Sequence, residues 1–164
     1  VTPLGKCVNL RELDLSDNEI EDASVLASLI EMNKLFLNNN KVANISFILK
    51  MVKLSLLNVS GNPITSISPL KDSSLDLLEH LAIFDCKISD ITPVSTVKNL
   101  RILFINSNKI ESLIPIKALF NLESITVEDN CINDFSPIDY LKENGKLTSV
   151  QGDSANDQDY SRCE

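Results

Sequence analysis

Leu100-Arg101-Ile102-Leu103-Phe104-Ile105-Asn106-Ser107-Asn108-Lys109-Ile110 is answered twenty-two positions later by Leu122-Glu123-Ser124-Ile125-Thr126-Val127-Glu128-Asp129-Asn130-Cys131-Ile132. Apolar residues and an asparagine fall at the same places in both. Upstream the same frame holds Leu10, Leu13, Leu15, Asn18 and Ile20, then Met32, Leu35, Leu37, Asn40 and Val42. Leu54, Leu57, Val59, Asn62 and Ile64 follow, and then Leu78, Leu81, Ile83, Cys86 and Ile88. The step is 22 residues throughout, except for the 24 between Asn62 and Cys86. A period of this length over six copies marks an array of stacked supersecondary units.

The pattern inside each copy dictates what the unit is. Side chains alternate along a strand, so the two apolar residues of Leu103-Phe104-Ile105 point one way and Phe104 the other. One copy cannot bury its own apolar side, and stacking neighbours builds the core in one dimension. The expected architecture is α/β: a right-handed leucine-rich repeat solenoid with a parallel concave sheet and short helical or 3-10 segments on the convex side. The asparagine slot lies where the chain leaves the strand and its backbone groups lose ladder partners. An Asn amide donates and accepts at once, so Asn18, Asn40, Asn62, Asn108 and Asn130 are expected to be structural. Cys86 fills the same slot as a small residue and weak donor.

The return path is also periodic. The fifth residue after each slot is Ala23, Ile45, Ile67, Ile91, Leu113 and Phe135, and the eighth is Leu26, Ile48, Leu70, Val94, Ile116 and Ile138. The eleventh is Leu29, Met51, Ser73, Val97, Leu119 and Leu141. Pro69, Pro93, Pro115 and Pro137 hold the seventh place, which suits the first turn of a short helix or 3-10 segment. Two copies are stretched, over Lys71–Leu77 and Tyr140–Lys146, and the added residues are expected to bulge outward as loops. Val1-Thr2-Pro3-Leu4 has the form of Ile67-Ser68-Pro69-Leu70, with Cys7 in the buried column. Residues 1–152 therefore read as an array of six full and some partial repeats, expected to be the C-terminal part of a longer one. Residues 153–164 read as an acidic cap, with Tyr160 as an anchor.

Charge and composition exclude several roles. A net charge of −8 argues against binding nucleic acid, which needs Lys and Arg to neutralise phosphates. No apolar run approaches the ~18 residues of a membrane span. His80, the only histidine, has no nucleophile in a fixed relation to it, and the four glycines form no phosphate-cradling loop. No enzyme activity, cofactor or metal site is expected. With no C-x-x-C, the four cysteines are expected to be free thiols. Cys7 and Cys86 are placed in buried columns, and a Cys131–Cys163 bridge is the alternative left open. This favours a reducing, cytoplasmic or intracellular setting, with a secreted or surface setting as the alternative. The triplets Asn44-Ile45-Ser46 and Asn58-Val59-Ser60 are read as chance sequons.

The pattern Ile-x-x-Ile-x-Pro-Leu after the slot, as in Ile64–Leu70, resembles the 22-residue class of leucine-rich repeats. That class occurs in bacterial internalins and in intracellular regulators, including the repeat subunit of type-one protein phosphatase. Leu147, Val150 and Gly152 resemble the opening of the cap in the intracellular members, although Gln151 replaces the usual acid. The resemblance implies protein binding through the concave sheet.

That face carries Glu12, Lys34, Leu56, His80, Ile102 and Ser124 in one column, with Asp14, Phe36, Asn58, Ala82, Phe104 and Thr126 in the next. Ser16, Asn38, Ser60, Phe84, Asn106 and Glu128 form the third. Phe36, Leu56, Phe84, Ile102 and Phe104 make an apolar centre on a nominally wet surface, with His80 and Asn106 at its margin. These seven are the candidate partner-binding residues. The function expected is a non-catalytic scaffold for a protein partner, with an enzyme-regulatory subunit or a surface adhesin as alternatives.

Overall fold

The computed structural model describes residues 2–163; Val1 and Glu164, assigned above to the first turn and the tail, lie outside the described residues. Among the described residues seven three-residue strands follow one another across a single open parallel sheet. They are β1 (Glu12–Asp14), β2 (Lys34–Phe36), β3 (Leu56–Asn58), β4 (His80–Ala82), β5 (Ile102–Phe104), β6 (Ser124–Thr126) and β7 (Ser149–Gln151). Each pairs with the next in register, so Leu13, Leu35, Leu57, Leu81, Leu103, Ile125 and Val150 form one row. The five central members are buried. Leu13 and Val150, each covered by a neighbouring strand on one side, are half-buried.

Behind the sheet the chain returns through 3-10 turns at Ser24–Ser28, Ser46–Lys50, Thr92–Thr96 and Ile114–Ala118. Among the described residues two segments are α-helical, α1 (Pro69–Asp72) and α2 (Ser136–Asn144). The prolines stand in the first turn of these segments, where a missing N–H costs nothing. A side-chain acceptor fixes the start of several turns. Asp22 accepts from the Ser24 N–H at 2.8 Å, Asn44 from Ser46 at 2.7 Å, Asp90 from Thr92 at 2.8 Å and Asp134 from Ser136 at 2.9 Å. This column of Asx turns repeats as faithfully as the leucines, yet the apolar frame does not reveal it. Leu26, Ile48, Leu70, Val94, Ile116 and Ile138 are wholly buried behind the sheet, in one apolar cluster that runs along the array.

Several expectations need correction. The buried place assigned to Ser73 belongs to Leu75, because the two added residues fall before that column; Ser73 is half-buried and donates to the Leu70 carbonyl. The stretch Tyr140–Lys146 is not a loop, since its first residues extend a 3-10 turn into the nine-residue α2. Tyr140 on that helix packs edge-on against Phe120, with the Lys117 ammonium over its ring. Cys7 is exposed, because nothing described packs over the outer side of the first turn. The four thiols are not all free. Cys131 and Cys163 form a disulfide with Cα atoms 5.7 Å apart, a separation typical of such bridges. The tail folds back far enough for Tyr160 Oη to donate to the Ile132 carbonyl at 2.9 Å, which brings Cys163 beside Cys131.

Candidate functional site

The asparagine slot acts through both ends of its amide. Asn108 Nδ2 donates to the carbonyls of Ile83, Ile105 and Asn106, while its Oδ1 accepts from the Ile88 N–H. Asn40, Asn62 and Asn130 repeat this scheme and are buried. Each therefore ties one repeat to the one before it. Asn18 is exposed and its amide donates within its own turn, to Leu15 and Ser16. Cys86 offers only long thiol contacts to the Val59 and Phe84 carbonyls. Burial pushes its thiol up from the usual range. Because sulfur is a weak acceptor, the Ile64 N–H turns to the Asn62 carbonyl, 2.8 Å away.

One residue before each slot the backbone is left-handed, at Asp17, Asn39, Gly61, Asp85, Ser107 and Asp129. Asn and Asp tolerate this conformation better than other side chains, and Gly61 adopts it at φ +64° without a Cβ penalty. These turns aim the strand ends and the residues flanking them across the sheet.

On the open face, Leu56, His80 and Ile102 stand in one cross-strand row and Asn58, Ala82 and Phe104 in the next. Phe84 follows β4, its N–H donating to Ser60 Oγ. Phe36 sits opposite Asn58 on β2. Phe36, Leu56, His80, Phe84, Ile102, Phe104 and Asn106 are all half-buried. Ser60 and Ala82, expected to be exposed, are buried; the larger neighbours lean over them. Asn106 accepts from Thr126 Oγ1 at 2.8 Å. No ring pair forms on this face among the described residues. Except for Asn106, these candidates line a shallow hollow of about 240 Å³ whose floor includes Asn58 and Ala82. The sequence signal for that floor was Ala82, the smallest residue in a column that also holds Phe36 and Phe104.

Positive charge near the hollow is largely matched. Lys34 pairs with Glu12 at 3.0 Å, and Arg101 lies between Glu79 at 3.5 Å and Glu123 at 2.9 Å. The Arg101 guanidinium holds the Glu123 carboxyl below its ordinary range. Among the described residues no three His, Cys, Asp or Glu side chains gather where a metal would sit. No described helix is long and apolar enough to cross a membrane.

A family model described as leucine-rich repeats in two copies matches residues 8–50. No curated protein matches the sequence. Among solved structures, internalin C2 of Listeria monocytogenes is 30% identical, with a TM-score of 0.83 over 92% of this chain and 65% of that one. An internalin, InlF, from the same organism is 29% identical, with a TM-score of 0.76 over 92% and 50%. A leucine-rich repeat protein of Leptospira interrogans, 20% identical, shares the fold with a TM-score of 0.73 over 90% and 44%. The chain thus spans between 44% and 65% of the length of these proteins. The class is a leucine-rich repeat solenoid. The chain is a leucine-rich repeat protein resembling the internalins, and such folds generally mediate protein–protein interaction.

Proposed function

We propose that this chain is a non-catalytic scaffold that takes a protein partner on the open face of its sheet. The observation that carries this reading is the cluster of Phe36, Leu56, Phe84, Ile102 and Phe104. These side chains stand half-exposed around one hollow with no packing need for being apolar. Large apolar side chains clustered on a wet surface usually belong to an interface. Residues 1–152 supply the array in this reading, and 153–164 close its end. We also place the protein in an oxidising compartment, because the Cys131–Cys163 bridge persists there and is reduced in cytosol. The likeness to internalins supports a surface or secreted role over an intracellular regulator.

The test is to change Phe84 and Phe104 together to Ser. Both side chains point away from the core, so circular dichroism should show an unchanged fold. Retention of native partners should be lost, while Lys71→Glu, on the opposite side, should leave it intact. A folded double variant that keeps every partner overturns the reading.

A further inference from the structure

We infer that the hollow over Ala82 is a socket for one apolar side chain of a protein segment that carries Lys or Arg three to four residues to either side of it. This rests on the reading that the open face binds protein, and it specifies the chemistry of the partner.

The socket is built by a size contrast. Ala82 has large side chains about it: His80 and Phe84 along its own strand, and Phe104 beside it on β5. Leu56 and Ile102 close the side toward the strand starts. A volume of about 240 Å³ is below the ~300 Å³ at which small-molecule sites begin, and it is open to the face. It corresponds to roughly eight waters at ~30 Å³ each, the room of one aromatic or branched aliphatic side chain. Anchors of that kind, set in a central pocket, dominate interface energies.

The flanks determine what accompanies the anchor. Lys34 on β2 and Arg101, just before β5, are already engaged by Glu12 and by Glu79 with Glu123. Lys87 and Lys109 line the turn edge with Asn62 and Pro63 instead of the face. Acids flank the apolar centre on both sides. Asp14 is paired across the strands with Phe36, and its carboxyl is held low by the Ser16 hydroxyl and N–H. Glu128 lies two strands beyond Phe84. At ~4.8 Å per strand, Glu128 is about 10 Å from the socket and Asp14 about 14 Å. An extended segment laid across the strands advances ~3.3 Å per residue, so its cations belong three residues from the anchor on one side and four on the other. At physiological salt the screening length is ~8 Å, so such pairs act only if the charges come close. They would contribute partner choice and association rate more than affinity.

The test uses a displayed library of random twelve-residue peptides, selected on the whole chain at low salt. Enriched peptides should have an aromatic or aliphatic centre with Lys or Arg at those spacings. Ala82→Phe, which fills the socket from within, should weaken them at least ~10-fold. The pair Asp14→Lys and Glu128→Lys touches no wall of the socket. It should weaken them several-fold at low salt and flatten their salt dependence. Peptides that are lost with F84S/F104S but lack basic flanks, or that ignore Ala82→Phe or the charge reversal, overturn the socket and leave the face reading standing. A selection yielding no peptide, or only peptides indifferent to F84S/F104S, overturns both.

Discussion

Gln158 and Asn130 donate to the same carbonyl. Asn130 Nδ2 reaches the Val127 oxygen at 3.0 Å and Gln158 Nε2 reaches it at 3.3 Å, while Gln158 Oε1 accepts from the Asn130 N–H at 3.2 Å. In the inner repeats the next slot residue makes that second contact, as Asn130 does to the Ile105 carbonyl. Gln158 therefore stands in for the slot asparagine of the β7 copy, where the sequence has Ala155. Its Nε2 also donates to the Gly152 carbonyl, and the Asp157 carbonyl takes the Asp129 N–H.

Replacing Gln158 with Ala leaves the Asn130 N–H without its acceptor. We expect a loss of about 1–2 kcal/mol, the cost of an unsatisfied buried donor. Thermal melting measures the total. Hydrogen exchange should localise it to residues 127–132, and unchanged protection there would remove Gln158 from this role.

The slot should show a gradient. Asn108→Ala strips four hydrogen bonds from a buried site and should cost ~1–3 kcal/mol. Asn18→Ala should cost less, because Asn18 is exposed and bonds only within its turn. Cys86→Asn should be neutral or stabilising, since an amide would replace the long thiol contacts to the Val59 and Phe84 carbonyls with stronger hydrogen bonds. Equal midpoints in a denaturant series for Asn18→Ala and Asn108→Ala would count against the inter-repeat tie.

The cysteines should divide into three behaviours. Cys7 should react with a thiol reagent in the folded protein and Cys86 only on unfolding. A linked Cys131–Cys163 peptide should appear on mass spectrometry without reductant. Chain-entropy arguments put an upper bound of ~3–4 kcal/mol on a bridge closing a loop of 32 residues. Because the tail is mostly exposed, the Tm of Cys163→Ser should fall by less than that bound implies. Exchange protection in residues 153–163 should drop instead.

Acid should loosen the outer turns. Asp22 and Asp90 titrate below their ordinary range because the hydroxyl and N–H of Ser24 and Thr92 hold the charged form, and Asp134 does so through the Ser136 N–H and hydroxyl. A folded pKa below the unfolded value means the stabilisation is complete above pH ~4 and is lost as pH falls through the folded values. Changing all three to Asn should flatten the decline of Tm between about pH 4 and 2. Asn44, which makes the same turn as a neutral amide, shows that the turn survives. A triple variant with the parent's acid limb would contradict this.

Much of the molecule was legible in the chain because its units are local and repeated. A strand's period of two placed Leu35, Leu57 and Leu103 inside and Phe36 and Phe104 outside, and the 22-residue step set the register of the sheet before any contact was known. The slot asparagines and the first-turn prolines were readable for the same reason, since each recurs at a fixed place in the repeat. What depends on neighbours was not. Whether Ser73 or Leu75 fills the core turned on where two added residues are absorbed, and the tail's return to Cys131 is a contact across 32 positions. Ala82 became the floor of a hollow only when strands twenty-two and twenty-four residues away placed Phe104 and Asn58 beside it. Periodicity determines direction and row by itself; depth, coverage and closure arise from side chains that meet only after the repeats have stacked.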